Sequence, residues 1–124
     1  MQKATTRAAS LPSASWLSPI EVEAIEKYIH RASDRYGNHI SQMILFGSRV
    51  RGEGNEESDI YIAVIMTAGD RHVRRELLDL ATEIWLETWI KISPLILSSE
   101  EFETLSRMGM GIIATIQKEG IKLL

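Results

Sequence analysis

The sequence of 124 residues contains no cysteine, and it also lacks any long apolar run. Without cysteine, a disulfide framework, a thiolate metal site and a cysteine nucleophile are all excluded. No apolar stretch approaches the ~18 residues that a membrane-spanning helix needs. The formal net charge of −3 argues against broad, nonspecific binding to nucleic acid, although a local basic patch stays compatible with it. We therefore expect a cytoplasmic protein with no membrane segment, and leave nucleic-acid binding open.

The composition is that of one small folded domain. Hydrophobic residues make up 44% and charged residues 25% of the chain, which is ordinary for a globular protein. Residues 1–17 carry Lys3 and Arg7 but no acidic residue, and they are rich in Ser, Thr and Ala. This composition favours a disordered tail, and it also fits a transit peptide. We expect the folded domain to span residues 18–124.

Periodic apolar residues and capping signals predict an alternating order of helices and strands. A capping box at Ser18 and Glu21 begins the first helix, and Gly37 ends it. Pro94 indicates that the last strand is interrupted or lies at an edge. The order predicts an α/β or α+β domain with a small mixed sheet and helices packed on one face. The predicted helices are 20–36, 71–88, 99 to about 108 and one ending at 119; the strands are 42–47, 59–66 and 90–97.

The most informative stretch is residues 42–66, where two apolar runs flank a charged loop with several glycines. The first run is typical of a buried strand and ends in Gly47-Ser48. A glycine there lets a phosphate group approach free backbone N–H groups. The second run begins with Asp59 and is rich in isoleucine and valine, which is typical of a second buried strand.

Asp59 is well placed to bind a metal ion, but the residue two positions later lacks a carboxylate. Residues i and i+2 of a strand point to the same face, ~7 Å apart. Two carboxylates at that spacing can hold the pair of Mg²⁺ ions that assist a phosphoryl transfer. The second position is Tyr61, which points to the same face but carries a phenol, a poor Mg²⁺ ligand.

This stretch resembles the signature of the minimal nucleotidyltransferases, a branch of the DNA polymerase β superfamily. The family pattern is Gly-Ser, about ten residues containing Arg-Gly, and then Ser-Asp-x-Asp. Gly47-Ser48, Arg51-Gly52 and Ser58-Asp59 match it, whereas Tyr61 replaces the second Asp. The resemblance covers roughly residues 20–124 and also implies the family's nucleotidyltransferase fold.

The resemblance assigns roles to four residues. It implies that Asp59 is the catalytic and metal-binding carboxylate, and that Gly47, Ser48 and Arg51 bind the nucleotide phosphates. The neighbouring Arg49 is an alternative to Arg51 for neutralising the triphosphate. The implied cofactors are Mg²⁺ and ATP or another nucleoside triphosphate.

The family also has a third carboxylate, on the strand that follows the long helix. Here that strand begins Ile90-Lys91-Ile92-Ser93 and contains no acidic residue, with Lys91 at or next to the position. Loss of one preorganised charged group commonly lowers the rate by a factor of ~10²–10³. We therefore favour a degenerate binding module with weak or no transfer activity, in the antitoxin role that the family resemblance implies. The alternative is an active Mg²⁺-dependent enzyme that moves a nucleoside monophosphate from ATP to a protein or nucleic-acid acceptor.

The long helix supplies a candidate partner surface. Leu78, Trp85 and Trp89 widen its apolar stripe by about a third of a turn. Either the first helix or the tail covers these side chains, or they form an interface with a partner. The resemblance implies a helical partner of the HEPN ribonuclease type, and self-association is the other possibility that we retain.

Overall fold

The computed structural model describes residues 17–49, 52, 59–109 and 111–124. The predicted tail therefore falls outside the described residues except for Leu17. Its side chain is buried in the core, which places this residue with the folded domain rather than with a tail. Within the described ranges, no helix combines the length and the hydrophobicity needed to cross a membrane.

The sheet has four strands in the order β3-β2-β1-β4. Strands β1 (Ile40–Phe46) and β2 (Ile60–Met66) pair antiparallel, and β2 pairs in parallel with β3 (Ile92–Ser98). The three predicted strands and their adjacency are confirmed, with β3 beginning two residues later than expected. Pro94 lies in β3, which is an edge strand, in agreement with the expectation from the sequence.

The fourth strand was not predicted. Strand β4 (Ile121–Lys122) pairs antiparallel with β1 and forms the other edge of the sheet. Beyond it, the Leu123 N–H donates to the carbonyl of Met43 at 2.7 Å. Gly120 permits this arrangement because any Cβ at that position would collide with the backbone of the preceding helix and with Ile44. Residues 121–124 thus extend the sheet beyond β1.

Two long helices cover one face of the sheet. Helix α1 (Pro19–Tyr36) begins with the predicted capping box, and helix α2 (Arg71–Thr88) is capped by the Asp70 carboxylate. Helix α1 ends at Tyr36, as expected, but Gly37 has a right-handed φ of −55° and continues into a short 3₁₀ turn, Gly37–His39. The main core lies between these helices and the sheet, and it includes the apolar stripe of α2: Val73, Leu77, Leu80, Ala81 and Ile84.

Two short helices lie against the opposite face, which a prediction of helices on one face alone does not include. Helix α3 (Ser99–Met108) starts from a second capping box, formed by Ser98 and Glu101, and helix α4 (Gly111–Glu119) follows it. Ile113 and Ile116 of α4 pack with Ile44 and Phe46 of β1 in a smaller second core. The sheet is therefore covered on both faces. Along β1 the second core ends at Phe46, directly before the predicted phosphate-binding residues Gly47 and Ser48.

Helices α1 and α2 run antiparallel, and charged side chains join them along one side. Arg31 makes a two-pronged contact with Glu87, with N–O distances of 2.8 and 2.9 Å. Lys27 also binds Glu87, and Glu83 accepts from Arg31 and Arg35. The glutamates of α2 that face α1 are thus paired with basic residues of α1.

Candidate functional site

The β1–β2 pairing brings the predicted site residues to one end of the sheet. Phe46 at the end of β1 lies opposite Tyr61 near the start of β2. Gly47 and Ser48 follow Phe46 directly, and Asp59 precedes the first residue of β2. Because the strands are antiparallel, the Gly-Ser turn and Asp59 lie at the same end of this pair.

Gly47 has the conformation that its residue type suggests. Its φ is +99°, a region that side chains other than glycine rarely adopt. An added Cβ would also lie 3.1 Å from Cδ2 of Tyr61, so the tyrosine ring rests against the Gly47 backbone. The chain therefore needs glycine here both for its backbone conformation and for the close approach of Tyr61.

The aromatic ring of Tyr61 lies beside the Gly-Ser turn and packs against Phe46. Its ring lies 5.7 Å from the Phe46 ring, centroid to centroid, and the residue is 40% exposed. The alternation of side chains along β2 puts Tyr61 on the face of the second core, opposite to Ile60 and Ile62. The position that the family fills with a carboxylate thus carries an uncharged ring that packs against Phe46 and Gly47.

Ser93 is a site residue that sequence reasoning missed. Its hydroxyl donates a hydrogen bond of 2.8 Å to Oδ2 of Asp59. The parallel register places Ser93 opposite Tyr61, so it projects from β3 beside the Asp59 carboxylate. Counting alternate positions on the third strand could have identified it. Lys91 instead contributes its backbone carbonyl, which accepts from the Ile60 N–H at 3.0 Å.

Arg49 has a different role from the one considered in the sequence. Its guanidinium is buried and donates to Oε1 of Glu21 at 2.6 Å. The same Glu21 oxygen accepts from the Ser18 N–H, which closes the capping box of α1. Arg49 therefore links the turn after β1 to the start of α1. Arg51, the family's arginine, lies outside the described residues.

The described residues do not fit a site for two Mg²⁺ ions. Asp59 is joined there by a phenol and a serine hydroxyl, whereas Mg²⁺ in proteins is held mainly by carboxylates, phosphates and water. Within the described part of the chain, no three His, Cys, Asp or Glu side chains form a cluster that could hold a metal. Glu56 and Glu57 of the intervening loop lie outside it. We therefore derive no chemical step through a metal ion.

A groove of about 530 Å³ extends from Ser93 along the edge of the sheet. Its walls are the second half of α2 and the first residues of β3, and its lining includes Leu78, Trp85, Lys91 and Ser93. The groove thus connects the neighbourhood of Asp59 with the tryptophan surface of α2.

A Gly-Ser turn after the first strand, an aspartate before the second strand and a mixed sheet together define the nucleotidyltransferase fold. The chain belongs to that family: the family described as "Polymerase beta, Nucleotidyltransferase" matches residues 24–124. The predicted family and fold class are therefore confirmed.

Individual relatives agree with this assignment. The chain is 33% identical over 82 residues to a Methanocaldococcus jannaschii protein named "Putative protein adenylyltransferase MJ0604", a match that covers 66% of this chain and 78% of the relative. It also resembles a crystal structure of a mutant toxin–antitoxin pair MntA–HpeT, with a TM-score of 0.52, 20% identity, and coverage of 80% of this chain and 72% of that one. A "putative nucleotidyltransferase from Sulfolobus solfataricus" gives a TM-score of 0.50 at 13% identity, with coverage of 98% and 86%. At these identities the two structures show the fold alone.

Proposed function

We propose that this protein is an antitoxin-type binding module that keeps the nucleotidyltransferase fold and has weak or no transfer activity. The observation that carries the proposal is the environment of Asp59. Its neighbours on the same sheet face are Ser93, which donates to it, and Tyr61, which packs on Phe46. Neither neighbour supplies the negative charge that a metal-assisted transfer requires.

Weak nucleotide binding is part of the proposal. Gly47 adopts a positive φ, and Ser48 follows it in the turn at the end of β1, so backbone N–H groups and a hydroxyl are available to phosphate oxygens. Arg51 would add a positive charge, as the family resemblance implies. ATP is the expected nucleotide, and any Mg²⁺ would be held by Asp59 together with the phosphates.

The partner is proposed from the relatives. The MntA–HpeT structure is a toxin–antitoxin pair, so a protein of this fold is found there in complex with another protein. For this chain we propose a helical partner of the HEPN type, bound in the cytoplasm. Self-association is the competing arrangement.

The second candidate function is active nucleotidyl transfer to a protein. Two observations favour it: the relative from M. jannaschii carries the name of a protein adenylyltransferase, and the Asp59 carboxylate is retained. A chain with a single carboxylate would need the nucleotide's own phosphates to complete the metal coordination.

Label transfer from α-³²P-ATP separates the two functions. The purified chain is incubated with Mg²⁺ or Mn²⁺, alone and with the protein encoded by the neighbouring reading frame as acceptor. We expect no useful transfer by the wild type, and a gain of activity in Tyr61→Asp and more in Tyr61→Asp/Ser93→Asp. These changes return carboxylates to the sheet face beside Asp59, and each restored group is expected to raise the rate by ~10²–10³.

Two controls make the result interpretable. Tyr61→Phe keeps the ring that packs on Phe46 and removes only the hydroxyl, so it should stay as inactive as the wild type. Asp59→Ala should abolish any activity that the restored variants gain. Robust transfer by the wild type that Asp59→Ala abolishes would show that one carboxylate suffices, and the binding-module proposal would be wrong.

A further inference from the structure

The two sides of helix α2 differ in charge and in partners. The side towards α1 carries Glu83 and Glu87, which pair with the basic residues of α1. The opposite side is a continuous stripe in which successive residues are three or four positions apart, so that they lie one above another along the helix. The stripe consists of Arg71, Arg75, Leu78, Thr82, Trp85 and Trp89. We call it, with the adjoining Leu86 and Lys91, the α2 outer face.

Large apolar side chains of the outer face remain exposed. Leu86 is 64% exposed and Trp89 is 72% exposed, while Leu78 and Trp85 are also partly open to solvent. The described part of the first helix does not cover them, because α1 packs on the other side of α2. The two indoles contact each other edge to face, with centroids 5.4 Å apart. They thus form one projecting aromatic ridge beside the groove that Trp85 and Lys91 line.

The backbone at Trp89 is also unusual. Trp89 ends α2 with φ = 63°, a left-handed conformation that is usually adopted by glycine or asparagine at the C-terminus of a helix. A bulky residue adopts it only at an energetic cost. Burial does not compensate this cost in the chain alone, because most of the indole is in solvent.

Positive charges surround this apolar surface. Arg71 and Arg75 lie at its start and Lys91 lies at the groove, all three exposed. Within the described ranges none of the three makes an ion pair, although Asp79 stands four residues after Arg75. The outer face is therefore apolar at its centre and cationic at its margins. Three of the four acidic residues of α2, Glu76, Glu83 and Glu87, bind side chains of α1, and Asp79 is the exposed fourth.

We propose that the α2 outer face binds an acidic amphipathic helix of a protein partner. The apolar stripe of that helix would pack on Leu78, Trp85 and Trp89, and its flanking Asp or Glu side chains would meet Arg75 and Lys91. The stripe from Arg71 to Trp89 is ~27 Å long at 1.5 Å per residue, which suits one helix of about five turns. The inference rests on the proposed function only in expecting that a protein partner exists.

Charge favours this occupant over two others. A second copy docked face to face would bring the cations of two outer faces together, and only Asp79 of each copy would offset them. Single-stranded nucleic acid needs free aromatic faces for its bases, whereas Trp85 and Trp89 pack on each other and their neighbours Leu78 and Leu86 are aliphatic. Both alternatives become outcomes of the test.

The test uses synthetic peptides of about 20 residues and the full chain. One peptide has leucines at helical spacing and flanking glutamates; the second has lysines in place of the glutamates; the third probe is a single-stranded RNA. Binding is measured by fluorescence anisotropy of the labelled probe. We expect the acidic peptide to bind, and the basic peptide and the RNA to bind at least about tenfold more weakly.

Matched variants locate the site. Trp89→Ala should weaken binding of the acidic peptide by about tenfold or more, whereas Met108→Ala, which removes an exposed apolar side chain elsewhere, should change it less than about twofold. Arg75→Glu should weaken it more than Lys118→Glu, an equal change of net charge on helix α4. All four positions are exposed, and circular dichroism checks that each variant keeps the fold.

Several results would overturn the proposal. One is equal weakening by Trp89→Ala and Met108→Ala, and another is tighter binding of the RNA or of the basic peptide. A concentration-dependent dimer in sedimentation, abolished by Trp89→Ala, would assign the face to a second copy. The failure of the acidic peptide to bind would also count against the proposal. None of these measurements uses a nucleoside triphosphate or a transfer reaction, so an active wild-type enzyme would refute the proposed function and leave this inference standing.

Discussion

Removal of Arg49 tests how the phosphate-loop turn is held on the domain. The variant Arg49→Leu leaves Glu21, which is 1% exposed, without the guanidinium that contacts it at 2.6 Å. The Ser18 N–H then remains as the hydrogen bond to Oε1. Loss of one member of a buried ion pair typically costs 3–5 kcal/mol of unfolding free energy, because the other charge stays buried without compensation. That is about a fifth or more of the total stability of a typical domain, roughly 5–15 kcal/mol.

The double variant Glu21→Gln/Arg49→Leu separates charge from packing. Glutamine retains an oxygen that can accept from the Ser18 N–H, so the helix cap survives while the buried charge disappears. We expect it to be more stable than Arg49→Leu alone, with a coupling free energy of roughly 2 kcal/mol between the two positions. Replacement of a whole buried pair by uncharged groups is often close to neutral, which sets this expectation.

Urea unfolding followed by circular dichroism at pH 7 measures these free energies. The control is Arg107→Leu, which breaks the exposed pair with Glu103, and it should change the stability by less than about 0.5 kcal/mol. A cost below about 1 kcal/mol for Arg49→Leu, or a double variant no more stable than that single one, would refute the role assigned to the buried pair.

Two further predictions concern the stability of the sheet edge at strand β4 and the loss of stability at low pH. Gly120→Ala should lower the unfolding free energy by ~1–3 kcal/mol, because the added Cβ collides with the helix backbone and with Ile44. The control Gly37→Ala should be neutral or slightly stabilising, because Gly37 has a helical φ and open space around it. Equal melting temperatures of the two variants would contradict this prediction. The hydrogen bond from Arg31 lowers the pKa of Glu87 from 4.5 to about 2, so its stabilisation is complete above pH ~4.5 and is lost as the pH falls towards 2. Glu87→Gln should therefore flatten the decline of Tm over this interval at low salt, and an unchanged slope would argue against the pairing.

Local signals in the sequence predicted most of the fold. The capping boxes at Ser18 and Ser98 form in the structure because their bonds join residues three positions apart. The apolar stripes of α1 and α2 and the runs of β1 and β2 also need no distant information. Of the alternatives left open for the α2 tryptophans, the partner surface is supported by Trp89, which the first helix leaves 72% exposed. The nucleotide-binding roles of Gly47, Ser48 and Arg51 remain predictions.

Features that join distant parts of the chain could not be predicted in the same way. Strand β4 has two residues and depends on pairing with β1, some 77 positions earlier, so its own sequence carries no strand signal. The contact of Arg49 with Glu21 joins a loop to a helix start, and both residues have ordinary surface roles in most sequences. Ser93 became part of the site only once the register of β3 against β2 was known.

The position of β4 has a consequence for synthesis of the chain on the ribosome. Until residues 121–124 have emerged, β1 lacks its outer neighbour, and the Met43 N–H and carbonyl that bind Leu123 and Leu124 have no such partner. An uncovered strand edge is prone to pair with other chains. A nascent chain that has not yet reached residue 121 is therefore most exposed to aggregation through β1, and pairing of residues 121–124 covers that edge.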